Sequence, residues 1–187
     1  MSMTVVYHID VAQRYFIAIP IPQHIQTILN DLSQQATGKP SPVLFPHISL
    51  IPPFTLKDRV AEENISHIVS TIKIAAFSAH LGSIDVFHQH DRSILIINVE
   101  PNEIFENHNA TITTILSPFI IIDTTPYTDG VVPKFRAHTT IDYDAKLQPE
   151  DEERMRQLPP VSAVWEVSAF ELYKEVGPGK WEKVKYS

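Results

Sequence analysis

Histidine is the side chain whose ordinary pKa, about 6.5, lets it give or take a proton near neutrality. Two of the nine histidines in this 187-residue chain stand in the same short pattern: histidine, any residue, hydroxyl, aliphatic. The first is His47-Ile48-Ser49-Leu50 and the second is His138-Thr139-Thr140-Ile141. Each sits in a predicted strand, within the stretches Phe45 to Phe54 (FPHISLIPPF) and Phe135 to Tyr143 (FRAHTTIDY). Residues two apart on a strand face the same way. His47 and Ser49 therefore share a face while Ile48 and Leu50 turn to the core. His138 and Thr140 likewise share a face, and Arg136 joins them. One imidazole as base, one as acid, and two hydroxyls donating to an oxygen that gathers negative charge would make an acid–base centre.

Such a centre needs elements that carry both strands. Arg14 to Ile21 (RYFIAIPI), β-branched, aromatic and ended by prolines, predicts a strand. Pro22 suits the first turn of a helix, and Ile25, Ile28, Leu29 and Leu32 follow at helical spacing to about Ala36. A turn cluster from Thr37 to Pro42 leads into a strand from Leu44 to Ile51. Asp58 stands where it would cap a second helix with Ala61, Ile65, Ile68 and Ile72 inward. Strands from Phe77 to Phe87 and Ser93 to Val99 follow, with His88 to Arg92 as their hairpin turn. Pro101 opens a helix with Ile104, Phe105, His108, Ile112, Ile115 and Leu116 on one face. A loop from Asp123 to Gly130 precedes the second motif strand, Lys134 to Tyr143. Pro149 and an acidic run start a short helix, its charges complementing the helix dipole. The end reads as a hairpin, Val161 to Val176 against Lys180 to Tyr186, joined through Gly177-Pro178-Gly179. The second half repeats the element order of the first without repeating its residues. Strands and helices do not alternate strictly, so the predicted class is α+β with antiparallel pairing, one domain over residues 1–187.

Composition removes several other chemistries. There is no cysteine, hence no disulfide, thiolate metal site or cysteine nucleophile. Five scattered glycines supply neither a P-loop nor a dinucleotide fingerprint. Fifteen basic against 22 acidic residues give a formal charge of −7, with no basic stripe for a long duplex. A small anionic substrate gripped by a few local cations fits that balance better. Met1 to Asp10 has no basic segment followed by an apolar run, and apolar stretches such as Phe119 to Ile122 are far too short to cross a bilayer. The expectation is a soluble, cytoplasmic monomer.

With the opening strand RYFIAIPI, the helix after it, FPHISLIPPF, RAHTTIDY and the terminal ELYKEVGPGKWEKV, the chain resembles the 2H phosphoesterases over nearly its whole length. That superfamily is named for two H-x-[ST]-x motifs and includes 2′-5′ RNA ligase-like proteins and cyclic nucleotide phosphodiesterases. The resemblance implies two pseudo-symmetric lobes whose antiparallel sheets face a central cleft, with helices outside and one motif strand from each lobe. It implies His47 and His138 as the catalytic pair, with Ser49 and Thr140 binding the phosphate. The implied reaction opens 2′,3′-cyclic phosphates of RNA ends or small nucleotides, with 2′-5′ ligation as its reverse, and needs neither metal nor other cofactor.

Further residues are candidates for substrate contacts: Arg136 on the His138 face, Phe45 on the His47 face, and Phe54 and Tyr127 in flanking segments. An aromatic packed against the wall is the stronger reading for Phe45. His88-x-His90-Asp91 resembles a fragment of a metal site, although such residues in a hairpin turn are more often solvated. His8, His24, His67, His80 and His108 have no motif context. Two rival functions follow: a nucleotide- or RNA-binding module without turnover, and a metal-dependent phosphohydrolase built on the His88 cluster.

Overall fold

The computed structural model describes residues 12–186 apart from 44, 90, 91, 126, 128–130, 144, 146, 148, 157–160 and 162. Nine strands and four helices are found among them, in the order β1 (Arg14–Pro20), α1 (Gln23–Thr37), β2 (His47–Leu56), α2 (Glu62–Thr71), β3 (Phe77–Gln89), β4 (Arg92–Glu100), α3 (Asn102–Leu116), β5 (Ile120–Ile122), β6 (His138–Asp142), α4 (Pro149–Arg156), β7 (Val164–Val167), β8 (Glu171–Gly177) and β9 (Lys180–Lys183). The strands form one sheet in the order β7-β3-β4-β6-β2-β1-β8-β9, with β5 also pairing with β2. The pairings are antiparallel. The α+β, antiparallel expectation is met.

The two halves of the sheet, β7-β3-β4-β6 and β2-β1-β8-β9, meet where Ile48 of β2 lies opposite Thr139 of β6. Both residues are fully buried. One face of the sheet forms the main core. Tyr15, Ile17 and Ile19 of β1, Ile48 and Leu50 of β2 and Leu95, Ile97 and Val99 of β4 pack there. Ile25, Leu29 and Leu32 of α1, Ile65 and Val69 of α2, and Phe105, Ile112 and Leu116 of α3 join them. Each such side chain, fully removed from water, contributes about 1.5–3 kcal/mol.

Two helices do not stay with their own half. α1, which follows β1, packs behind β6, and α3, which follows β4, packs behind β2. Two side chains fix these crossings. Ser41 Oγ, just past α1, donates to the Ile141 carbonyl at 2.6 Å, and Asn109 Nδ2 of α3 donates to the Leu50 carbonyl at 2.6 Å. Asn102 Oδ1 accepts the Ala137 N–H at 2.7 Å and so positions the chain entering β6.

Several expectations are corrected. The 161–176 stretch is two strands, not one: β7 pairs with β3 at one edge of the sheet, while β8 pairs with β1 near the other. Periodicity marks a strand but not its partner. The first motif strand begins at His47 and continues through Pro52-Pro53, which lie where the ladder to β1 is irregular and a missing N–H is tolerated. The second begins at His138, and 131–137 approaches it without a ladder. β5, three isoleucines long, is too short for a pattern to announce. Asp58 does not cap α2; Ala61 stands at the N-cap, without a side-chain bond. On α3, Ile115 is exposed. Strands β3 and β4 extend to Gln89 and Arg92, which pair, shortening the hairpin turn.

Candidate functional site

β2 and β6 lie side by side at the middle of the sheet. With Ile48 opposite Thr139 in an antiparallel pair, His47 comes beside Thr140 and Ser49 beside His138. These four side chains point away from the core and are all partly accessible, while Ile48, Thr139, Leu50 and Ile141 are buried beneath them. The histidines are diagonal neighbours in this register, a relation that spans on the order of 7–8 Å.

Both imidazoles are anchored alike. His47 Nδ1 is 2.9 Å from the Phe45 carbonyl, and His138 Nδ1 is 2.7 Å from the Arg136 carbonyl. A carbonyl only accepts, so each Nδ1 is the donor and carries the hydrogen. Nε2 is then the nitrogen that can exchange a proton with a bound molecule. Burial holds His47 below the ordinary value of 6.5; the bond to Phe45 opposes this and the neighbouring His138 adds to it. Burial also lowers His138, opposed by its bond to the Arg136 carbonyl and reinforced by the Arg136 guanidinium.

The surroundings of the two rings differ. His47 stacks on Phe45 with centroids 5.2 Å apart and leans on Phe16 at 4.9 Å. Phe16 in turn stacks on Tyr173 at 4.9 Å and meets Trp181 edge-on at 4.7 Å. These aromatics form a cluster separate from the main core. His138 meets Phe87 edge-on at 5.0 Å. The Arg136 guanidinium lies 5.4 Å from the Phe87 centroid, and its Nη2 bonds Asp85 Oδ2 at 2.6 Å. The arginine holds the Asp85 carboxyl below the usual range against the opposing effect of burial, the larger influence taken singly. Asn98 of β4 lies opposite His138 and donates to Ser83 Oγ at 2.9 Å.

The structure thus brings together His47, Ser49, His138, Thr140, Phe45 and Arg136. Phe54 is corrected: it is fully buried and stacks on Tyr15 at 5.9 Å. It lies within β2 on the side of Ile48 and Leu50, which is the core side, so it cannot line a base pocket. Tyr127 sits in the loop after Asp123, its phenol pushed up by burial and by that carboxylate. Among the described residues no hydrogen bond or ring contact joins it to either histidine. Of the His88 cluster, His90 and Asp91 lie outside the described residues. His88 Nε2 is 3.3 Å from Glu152, and among the described residues no group of His, Cys, Asp or Glu is arranged to hold a metal ion. Likewise no helix among them is long and apolar enough to cross a membrane. A cavity of about 330 Å³ lined by Tyr15, Leu56 and Glu62 lies by the far end of β2, away from His47.

Sequence reasoning did not find Phe16, Tyr173, Trp181, Phe87 and Asp85. They come from strands beyond the motif strands, and only the pairing register brings them to the site.

A family model described as the 2′-5′ RNA ligase superfamily matches residues 21–179. Among solved structures, TT0787 of Thermus thermophilus superposes with a TM-score of 0.62 and 19% identity, over 92% of this chain and 95% of that one. A structure described as a phosphoesterase gives 0.63 at 18% identity, over 92% and 96%. Escherichia coli LigT complexed with 3′-AMP gives 0.61 at 18% identity, over 92% and 95%. No curated protein matches the chain in sequence.

Proposed function

Because the chain belongs to the 2′-5′ RNA ligase superfamily, a family of phosphoesterase and ligase chemistry, we propose that it opens 2′,3′-cyclic phosphates of RNA ends or small nucleotides, with His47 and His138 as general acid and base. The observation that carries this reading is the matched anchoring of two imidazoles on adjoining strands, each with a hydroxyl two residues on. The nucleotide named with LigT, 3′-AMP, is a small molecule with a phosphate on its ribose, which supports a substrate of that class.

Hydrolysis begins with one histidine neutral and the other protonated. The neutral Nε2 takes a proton from water as its oxygen attacks phosphorus. The protonated Nε2 gives its proton to the departing ribose oxygen, and the P–O bond to that oxygen breaks. Ser49 and Thr140 donate hydrogen bonds to the non-bridging oxygens, where charge builds up. Each Nδ1–H to carbonyl bond holds its ring in the tautomer that this transfer needs. The protons need no metal to move them. With a 5′-hydroxyl in place of water, the same pair would take its proton, join its oxygen to phosphorus and protonate the departing 3′-oxygen, giving a 2′-5′ bond without a nucleotide cofactor.

Turnover of a 2′,3′-cyclic mononucleotide in EDTA, followed as release of the phosphomonoester, tests the reading. His47→Ala and His138→Ala are each expected to lower kcat by about 10²–10⁴ with the circular dichroism spectrum intact. Near-full activity in either variant would remove that histidine from the mechanism.

A further inference from the structure

The pairing register extends the pseudo-twofold beyond the histidine motifs. In one half, Ser49 of β2 lies opposite Ala18 of β1, and Ala18 lies opposite Glu171 of β8. In the other, Thr140 of β6 lies opposite Ile96 of β4, and Ile96 opposite Asp85 of β3. Each motif hydroxyl is therefore separated from a carboxylate by one apolar position on the open face, two strand spacings or about 10 Å away. Two residues beyond each carboxylate stands an aromatic of the site. The sequences are Asp85-Val86-Phe87 and Glu171-Leu172-Tyr173.

Each carboxylate also holds a cation. Asp85 Oδ2 pairs with Arg136 Nη2 at 2.6 Å, and Glu171 Oε1 pairs with Lys183 Nζ at 2.6 Å. The second oxygens are occupied too: Asp85 Oδ1 by Arg156 Nε at 3.5 Å, and Glu171 Oε2 by the Tyr173 hydroxyl at 2.5 Å. In both pairs the cation is the more exposed partner. Arg136 and Lys183 keep 39% and 52% of their side-chain surface, against 27% for Asp85 and 22% for Glu171. Ion pairs this accessible contribute little to stability. A guanidinium tied through one nitrogen still has donors for an oxyanion, and an ammonium has three donors in all.

We propose, resting on the phosphodiesterase reading above, that Asp85 and Glu171 are a second twofold-related pair of functional residues: positioning carboxylates that fix Arg136 and Lys183 at the two ends of the site to receive phosphates flanking the reacting one. The cations are drawn about two strands away from the hydroxyls that serve the reacting phosphoryl group. The substrate class this favours is the end of an oligonucleotide over a single nucleotide.

The test compares a mononucleoside 2′,3′-cyclic phosphate with a trinucleotide ending in the same group. Asp85→Asn, Glu171→Gln, Arg136→Ala and Lys183→Ala are each expected to lower the ratio of kcat/KM, trinucleotide over mononucleotide, by about tenfold through KM, the size of one charged hydrogen bond. Asp85→Glu should restore part of it. The Asp85→Asn/Arg136→Ala pair should be no worse than Arg136→Ala alone, since the carboxylate acts through the arginine. An unchanged ratio, a loss confined to kcat, or additive losses would overturn the proposal. Arg136 and Lys183 are exposed enough that their variants remain readable if a carboxylate variant does not fold. Affinity for a 3′-phosphorylated trinucleotide against a 3′-mononucleotide needs no turnover. If the wild type turns over neither cyclic phosphate, the phosphodiesterase reading fails, while the same tenfold ratio in affinity would still support the clamps and its absence would overturn them.

Discussion

Burial leaves both imidazoles reluctant to carry charge, and this sets the pH behaviour of the site. His47 and His138 each lie below 6.5 in the folded chain. A reaction that needs one neutral and one protonated ring is fastest between their two apparent values. The kcat/KM profile should therefore be a bell centred below pH 6.5, and a maximum above pH 7 would contradict this. The same shifts act on stability. The unfolded chain binds these protons more tightly, so the histidine contribution is complete above about pH 6.5 and is lost as pH falls from there through the folded values. At this scale the motif was legible, because a period of two is written locally: His47 with Ser49, and His138 with Thr140. Phe54 reads as a flanking residue because Pro52-Pro53 look like the end of the strand, but β2 runs on to Leu56 and holds it on the Ile48 side. Asp85 and Glu171 carried no local signal.

Among the elements, the two motif strands differ at the residue between histidine and hydroxyl. Ile48 is an ordinary core aliphatic, but its partner Thr139 buries a hydroxyl that has no hydrogen-bond partner among the described residues. Thr139→Val should raise stability by about 1 kcal/mol, read from urea unfolding, because it removes an unpaired polar group of nearly the same shape. A loss of stability would show that the hydroxyl is paired in solution. The terminal hairpin is the opposite case, where the sequence says what the backbone does. Pro178 and Gly179 occupy the central turn positions, and Gly179 has φ +68°, which an L side chain adopts at a penalty. The apolar spacing of α1 and α3 was equally readable. β5 and the split between β7 and β8 were not, since a three-residue strand and the choice of a partner leave no periodicity.

At the scale of the molecule, the chain passes from one half of the sheet to the other four times: from β2 to β3, back between β4 and β5, over again between β5 and β6, and back between β7 and β8. α1 and α3 each cover the motif strand of the opposite half. Neither half owns a complete core, so the protein should unfold in one cooperative transition. A fragment of residues 12–100, which lacks β6, should show no dispersed amide spectrum; a well-folded fragment would refute this. Repetition of element order hinted at two halves, but the interleaving that joins them depends on long-range pairing that no window of sequence contains.

A twofold arrangement of donors and acceptors has no built-in polarity, and a ligand could enter it in either of two senses. What removes that ambiguity is where the halves fail to match: Phe16, Phe45, Tyr173 and Trp181 gather on the His47 side, against Phe87 and a guanidinium on the His138 side. With a cation proposed at each end, the end richer in rings is the one that would offer a base more surface to stack on. Reading direction along a strand of nucleotides would then be written in the departures from symmetry, and exchanging those rings between the halves is the change that should reverse it.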